Sequence, residues 1–175
     1  MEMIEAYKFC PRCGANFERK DDLLQCNKCG LSFYINPKPT TTVILVNDNG
    51  EYLLTKRAFD PGKGLWDFPG GFVEHSETFE QNAQRELREE LNIEIGQLHY
   101  IGSVSVPYLF QEVNYATLSV VFISKFLKNA EPRPGDDVSS YQFFAPDKVP
   151  MDKLAFPAMR TNLEQAEDFL KNNRL

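Results

Sequence analysis

No stretch of this 175-residue chain approaches the roughly eighteen consecutive apolar residues of a membrane-spanning helix, and its start, MEMIEAYKFC, has neither a basic n-region nor an apolar h-region. The expected setting is soluble and cytoplasmic. A positive excess is missing too. Nineteen Lys plus Arg stand against 25 Asp plus Glu, a net charge of −6, so the molecular field repels a nucleic-acid backbone and argues against general nucleic-acid binding. Internal repeats and low-complexity tracts are absent. What remains is ordinary globular usage, 42% hydrophobic and 25% charged, enough for one domain with a small appendage.

Cysteine is confined to the first sixth of the chain, as Cys10-Pro-Arg-Cys13-Gly and Cys26-Asn-Lys-Cys29-Gly with twelve residues between the pairs. Each Cys-x-x-Cys-Gly can form a knuckle that turns two thiolates toward one ion, so the two together offer four tetrahedral sulfur ligands for a structural zinc. The competing readings are two disulfides, which need an oxidising compartment, and a redox pair, which needs only one motif. Four thiolates leave no open coordination position for catalysis. Their expected task is to fold a segment too short to hold itself together by burial.

Asn36-Pro37-Lys38-Pro39 forbids regular helix and marks a joint, which puts the expected domains at residues 1–35 and 36–175. Residues 41–46 and 52–55 read as a hairpin around an Asn49-Gly50 turn, and 65–68, 98–106, 118–126 and 141–145 as further strands. Two helices are expected. One covers 79–91 behind a Thr78/Gln81 capping box, the other 162–171 behind Thr161/Glu164.

The first helix buries Phe79, Ala83, Leu87 and Leu91, and beside that stripe Glu86, Glu89 and Glu90 fall within one arc. Local energetics oppose this arrangement. Glu86 and Glu90 are a like-charged i,i+4 pair, and all three lie at the end of the helix where the macrodipole favours cations, each at a cost of roughly 0.2 to 1 kcal/mol. A divalent ion would compensate, and carboxylate oxygens with no His or Cys nearby suit Mg2+ or Mn2+. A solvated acidic face screened by Arg85 and Arg88 is the alternative that charge alone leaves open.

Residues 71–93 resemble the Nudix box: glycine, five residues, glutamate, seven residues, then Arg-Glu-aliphatic-any-Glu-Glu-any-Gly-aliphatic. Gly71, Glu77, Arg85, Glu86, Leu87, Glu89, Glu90 and Ile93 match it, with Asn92 in place of the last glycine. Asn tolerates the left-handed backbone best after Gly, so the departure is mild. The resemblance implies an α/β protein, a Nudix-type α/β/α sandwich with a mixed β-sheet, here preceded by a small four-cysteine zinc ribbon. It implies that Glu86, Glu89 and Glu90 act as metal ligands or base, helped by the Gly70 carbonyl, while Arg85 and Glu77 hold the loop onto the helix. The reaction it implies is attack of water on a nucleoside-diphosphate-linked compound.

The order of ribbon and box is similar to that of the bacterial NADH pyrophosphatase group, which ranks dinucleotide cofactors such as NADH or FAD, and ADP-ribose, ahead of nucleoside triphosphates. That group's Ser-Gln-Pro-Trp-Pro-Phe-Pro element is replaced here by Val104-Ser-Val-Pro-Tyr-Leu-Phe110. Its further Glu on a later strand aligns with Lys125, so an additional carboxylate would come from Glu112, Glu131, Asp136 or Asp137. Lys56 and Arg57 are candidates for phosphate contact. His75, His99 and Trp66 read as loop, outward-facing and core residues. The alternative to an enzyme is a non-catalytic nucleotide-sensing or partner-binding module. Mixed charge on the ribbon argues for a structural role, with contacts in a homodimer left open.

Overall fold

In the computed structural model, residues 1–173 and 175 are described, and they divide into two compact units: residues 1–38 with 106–117, and residues 39–105 with 118–175.

In the first unit, a short helix α1 (Met3–Ala6) precedes three strands, β1 (Phe17–Lys20), β2 (Leu23–Cys26) and β3 (Ser32–Tyr34), paired antiparallel in that order. Phe33 is packed between Tyr7 and Phe17, at ring separations of 5.3 and 6.4 Å. Among the unit's described residues before position 39 only Cys10, Leu24 and Cys26 are buried. So small a core cannot offset the entropy of ordering this segment without a cross-link or an ion.

The second unit holds the greater part of a six-stranded mixed sheet, ordered β6-β5-β4-β8-β7 with β9 also pairing β5. The strands are β4 (Lys38–Val46), β5 (Tyr52–Arg57), β6 (Trp66–Asp67), β7 (His99–Phe110), β8 (Val113–Lys125) and β9 (Val138–Phe144). Side-chain alternation explains the layers. Val43, Leu45, Leu53 and Phe122 face α2 (Phe79–Leu91) and pack with Ala83, Leu87 and Leu91. Ile44, Val46, Tyr52, Leu54, Val121 and Ile123 face α3 (Met159–Asn172) and pack with Met159, Leu163 and Ala166. A strand buried on both faces must be apolar at consecutive positions, which is why 43–46 and 121–123 are unbroken apolar runs. The result is an α/β/α sandwich.

Two expectations need correction. The second long helix starts at Met159 with Ala158 as its cap and no side-chain cap, so Thr161 lies inside the first turn. Burial of Met159 in the core outweighs the local capping preference. The β7–β8 hairpin extends to Phe110 and Val113, closed by Gln111 and Glu112 at φ 47° and 64°. Those are the angles of a two-residue primed turn made without the usual Asn or Gly, so the sequence carries no turn signal there. No helix among the described residues is long and apolar enough to cross a membrane.

Candidate active site and metal centres

The four cysteines come together. Cys10 Sγ lies 3.6 Å from Cys29 Sγ and Cys13 Sγ 3.5 Å from Cys26 Sγ, and all four sulfurs fall within 4.8 Å of one another without a disulfide. Metal–sulfur bonds of about 2.3 Å in a tetrahedron put sulfurs about 3.8 Å apart, so the cluster has the size of a metal site. The two knuckles are built alike. Gly14 and Gly30, at φ 72° and 71°, return their amides to the carbonyls of Cys10 and Cys26 at 2.9 Å. The Cys29 and Lys28 amides aimed at Cys26 lower its thiol to about 6 against the effect of burial, which favours the thiolate.

The second site lies on α2 and the loop before it. Thr78 caps the helix by accepting from the Gln81 amide while Gln81 reaches back to the Thr78 amide, and Asn92 ends it in the left-handed region at φ 54°, ψ 38°. Arg85 is the hub. Its guanidinium meets Glu77 at 2.7 Å, Glu89 at 2.8 Å and Glu86 at 3.0 Å, and donates to the Phe72 carbonyl at 3.1 Å. Arg85, helped by the Glu74 amide, holds the Glu77 carboxyl down to about 2. Thus Glu77 and Arg85 tie the loop 72–77 to the helix.

Glu86 and Glu90 turn inward, 8% and 5% exposed. Burial raises the Glu86 carboxyl against the pull of Arg85, with like charge from Glu89 and Asp137 added. Burial raises Glu90 further, joined by repulsion from Asp137, Glu86 and Asp67, while the Gly70 amide lowers it by donating at 3.2 Å. Gly70 and Gly71 leave no room for a side chain. A Cβ at Gly70 would strike the Thr41 carbonyl, and one at Gly71 the Glu86 carboxylate.

Among the described residues only the cysteines bring three ligand atoms within 4.8 Å of one another; the oxygens of Glu86, Glu89 and Glu90 are more widely set. Arg85 draws Glu89 aside, half exposed, while the other two stay buried. Paired buried carboxylates with raised proton affinity are a donor set suited to a hard cation, whose charge would offset their repulsion.

Of the candidate acids outside the box, Asp137 is the one whose charge acts on Glu86 and Glu90. The Gly135 and Arg133 amides bond the carbonyls of Glu90 and Leu91, and Ala58 N–H donates to the Asp137 carbonyl at 2.6 Å, which fixes the segment over the C-terminal end of α2. Glu112 lies in the β7–β8 turn, Glu131 pairs at 3.8 Å with Arg133, and Lys125 pairs with Asp48. Arg57 is committed to Asp67 at 2.9 Å, Asp137 at 3.9 Å and the Pro61 carbonyl, and Lys56 lies over the Trp66 ring. Burial, opposed by Arg57, lifts Asp67 to about 6.

Sequence reasoning missed Asp67, Thr41 and Asn82. The signal for Asn82 was present: Asn82, Glu86 and Glu90 recur every four residues as a polar stripe on the buried side of α2.

Residues 36–165 match the NUDIX domain family. The NAD-capped RNA hydrolase NudC of Pseudomonas aeruginosa is 30% identical over 156 residues, 88% of this chain and 52% of that protein. The ADP-ribose pyrophosphatase of Methanocaldococcus jannaschii is 35% identical over 123 residues, 70% of this chain and 69% of that protein. The crystal structure of a NUDIX hydrolase from Nitrosomonas europaea superposes with a TM-score of 0.71 at 28% identity, covering 95% of this chain and 92% of its own. The chain spans about half the length of the first of these relatives, 52%.

Proposed function

The chain belongs to the NUDIX family, and from that premise we propose that it is a divalent-cation-dependent pyrophosphohydrolase acting on a nucleoside-diphosphate-linked compound. The observation that carries this reading is the buried Glu86/Glu90 pair one turn apart on α2, faced by Asp137 and Asp67 from other elements. Arg85 offsets Glu86 and Arg57 offsets Asp67 and Asp137, but among the described residues no cationic side chain pairs with buried Glu90, an arrangement that a bound divalent cation would relieve.

Glu86, Glu89 and Glu90, with the Gly70 carbonyl and Asp137, are the residues that would hold the ion, Mg2+ or Mn2+. When bound, it would neutralise diphosphate oxygens and lower the pKa of an attacking water. The chain's own part is positional. Arg85 and Glu77 fix the loop, Gly71 lets backbone approach Glu86, and one of the carboxylates takes the water's proton. Arg57 and Lys56 stand at the end of β5, where Arg57 lies 3.9 Å from Asp137, and we assign both to substrate contact. Zinc is the ion assigned to the four cysteines, which have no open position for chemistry.

NADH, FAD and ADP-ribose are the favoured substrates, because the relatives named above are an NAD-capped RNA hydrolase and an ADP-ribose pyrophosphatase. The test is a substrate panel with Mg2+ and Mn2+, products resolved by chromatography. Cleavage of a diphosphate bond, lost by orders of magnitude in Glu90→Gln, is the expected result. Tight binding with no product from any compound would instead make the chain a nucleotide-sensing module. Light scattering of the same preparation decides whether it is a homodimer.

A further inference from the structure

Asn82 heads the buried stripe that continues through Glu86 and Glu90, and its side chain is sealed from solvent at 0% exposure. An amide in such a place is tolerated only when its polar atoms are satisfied. Its Oδ1 accepts from the hydroxyl of Thr41, on β4 and also buried. Its Nδ2 donates to the Phe72 carbonyl at 2.8 Å and Glu77 Oε2 at 3.2 Å, and more weakly to Glu86 Oε1 at 3.5 Å. Three acceptor oxygens surround the nitrogen. The reverse orientation would set oxygen against oxygen, so the amide has one orientation, and the Thr41 hydroxyl holds it there.

Arg85 approaches the same Glu86 Oε1 at 3.0 Å, and among the described residues no side-chain hydrogen bond is made to Oε2. The loop backbone at Gly71 packs against the same carboxylate and lies nearest Oε1 as well. Glu86 is therefore gripped by one oxygen, with the other left to coordinate. We infer that Asn82, held by Thr41, is a positioning residue of the candidate catalytic centre, pinning Glu86 Oε1 and the Phe72 carbonyl so that Glu86 Oε2 is presented to the divalent cation. The inference rests on the hydrolase reading above. A neutral amide suits the task, since it gives a directed hydrogen bond without adding positive charge that would compete with the ion.

The test uses the full chain with its cysteine site filled and measures Mn2+ binding by electron paramagnetic resonance without substrate, alongside the Mg2+ dependence of turnover. Asn82→Ala should weaken Mn2+ binding about tenfold or more, the usual effect of losing a partner of a metal ligand, and raise the half-activating Mg2+ concentration in parallel. Turnover at saturating metal should recover to within a few-fold. Thr41→Val should shift both in the same direction by less, and Thr41→Ser, which restores the hydroxyl, should match the parent. Unchanged Mn2+ affinity in folded Asn82→Ala, or in Thr41→Val where the first variant does not fold, overturns the inference. A parent chain that neither binds Mn2+ nor yields product overturns the hydrolase reading and this inference with it.

Discussion

Glu90 rests against Gly70, whose backbone N–H donates to its Oε2 at 3.2 Å, and among the described residues this neutral bond is the one that holds a carboxylate only 5% exposed. Burial and repulsion from Asp137, Glu86 and Asp67 raise its proton affinity well above the ordinary carboxyl range. Below about pH 4 both folded and unfolded chains keep this proton. As pH rises the unfolded chain releases it first, so the folded state binds more protons and loses stability with increasing pH. Glu90→Gln should therefore be more stable than the parent at pH 7 without added divalent cation, by on the order of 1 kcal/mol or more. The gap should close near pH 4, and Mn2+ should raise the Tm of the parent but not of the variant. Urea titrations at the two pH values measure the gap, and thermal unfolding with and without Mn2+ measures the Tm.

Arg85 spans Glu77, Glu86 and Glu89 with one planar fork, a geometry that a lysine ammonium cannot reproduce. Arg85→Lys should cost roughly 1–3 kcal/mol, because partly buried acceptors lose their donors. The pH dependence gives a second readout. Glu77, depressed to about 2, contributes stability that is present above the ordinary carboxyl pKa and lost as pH falls toward 2. That acid limb should flatten in Arg85→Lys, and a limb of unchanged steepness would mean that the clamp is not what lowers Glu77.

The helix carrying the site was legible because every cue agreed: the capping box at Thr78, the apolar stripe through Leu91 and the Asn92 terminus predict the limits that are found. The cysteine cluster was legible for a similar reason, since the spacing of each knuckle is set by local turns. The gathering of Asp137 and Asp67 around Glu90 could not be read, because it depends on β5, β6 and the segment before β9 meeting in space. The length of β7 and β8 was hidden by a turn at Gln111 and Glu112 that spends backbone strain where Asn-Gly would be expected.

Asn92 offers a test of backbone strain apart from any side-chain contact. It holds φ 54°, is exposed, and its amide donates to the Arg88 carbonyl at 2.9 Å. Asn92→Ala should cost about 1 kcal/mol, and Asn92→Gly should be neutral or a few tenths of a kcal/mol more stable. Thermal unfolding of the three proteins measures the order, and equal stability of the Ala and Gly variants would show that the left-handed cap is not maintained in solution.

The first unit supplies the last prediction, since its few buried side chains must be held by something other than apolar area. Cys26 is buried and the Cys29 amide favours its thiolate, so Cys26→Ser removes one of the four ligands and leaves a buried hydroxyl beside three thiols. Elemental analysis should find one tetrahedral metal per parent chain and none in the variant. Hydrogen exchange should then accelerate at Leu24 and Phe33, which bond across the small sheet, by the full loss of their protection. Ile44 and Leu53 sit in cores that α2 and α3 cover, and their amides should stay protected. Retained protection at Leu24 in a metal-free chain would mean that the ribbon folds on apolar contacts alone, and the assignment of the four cysteines to a structural ion would fail.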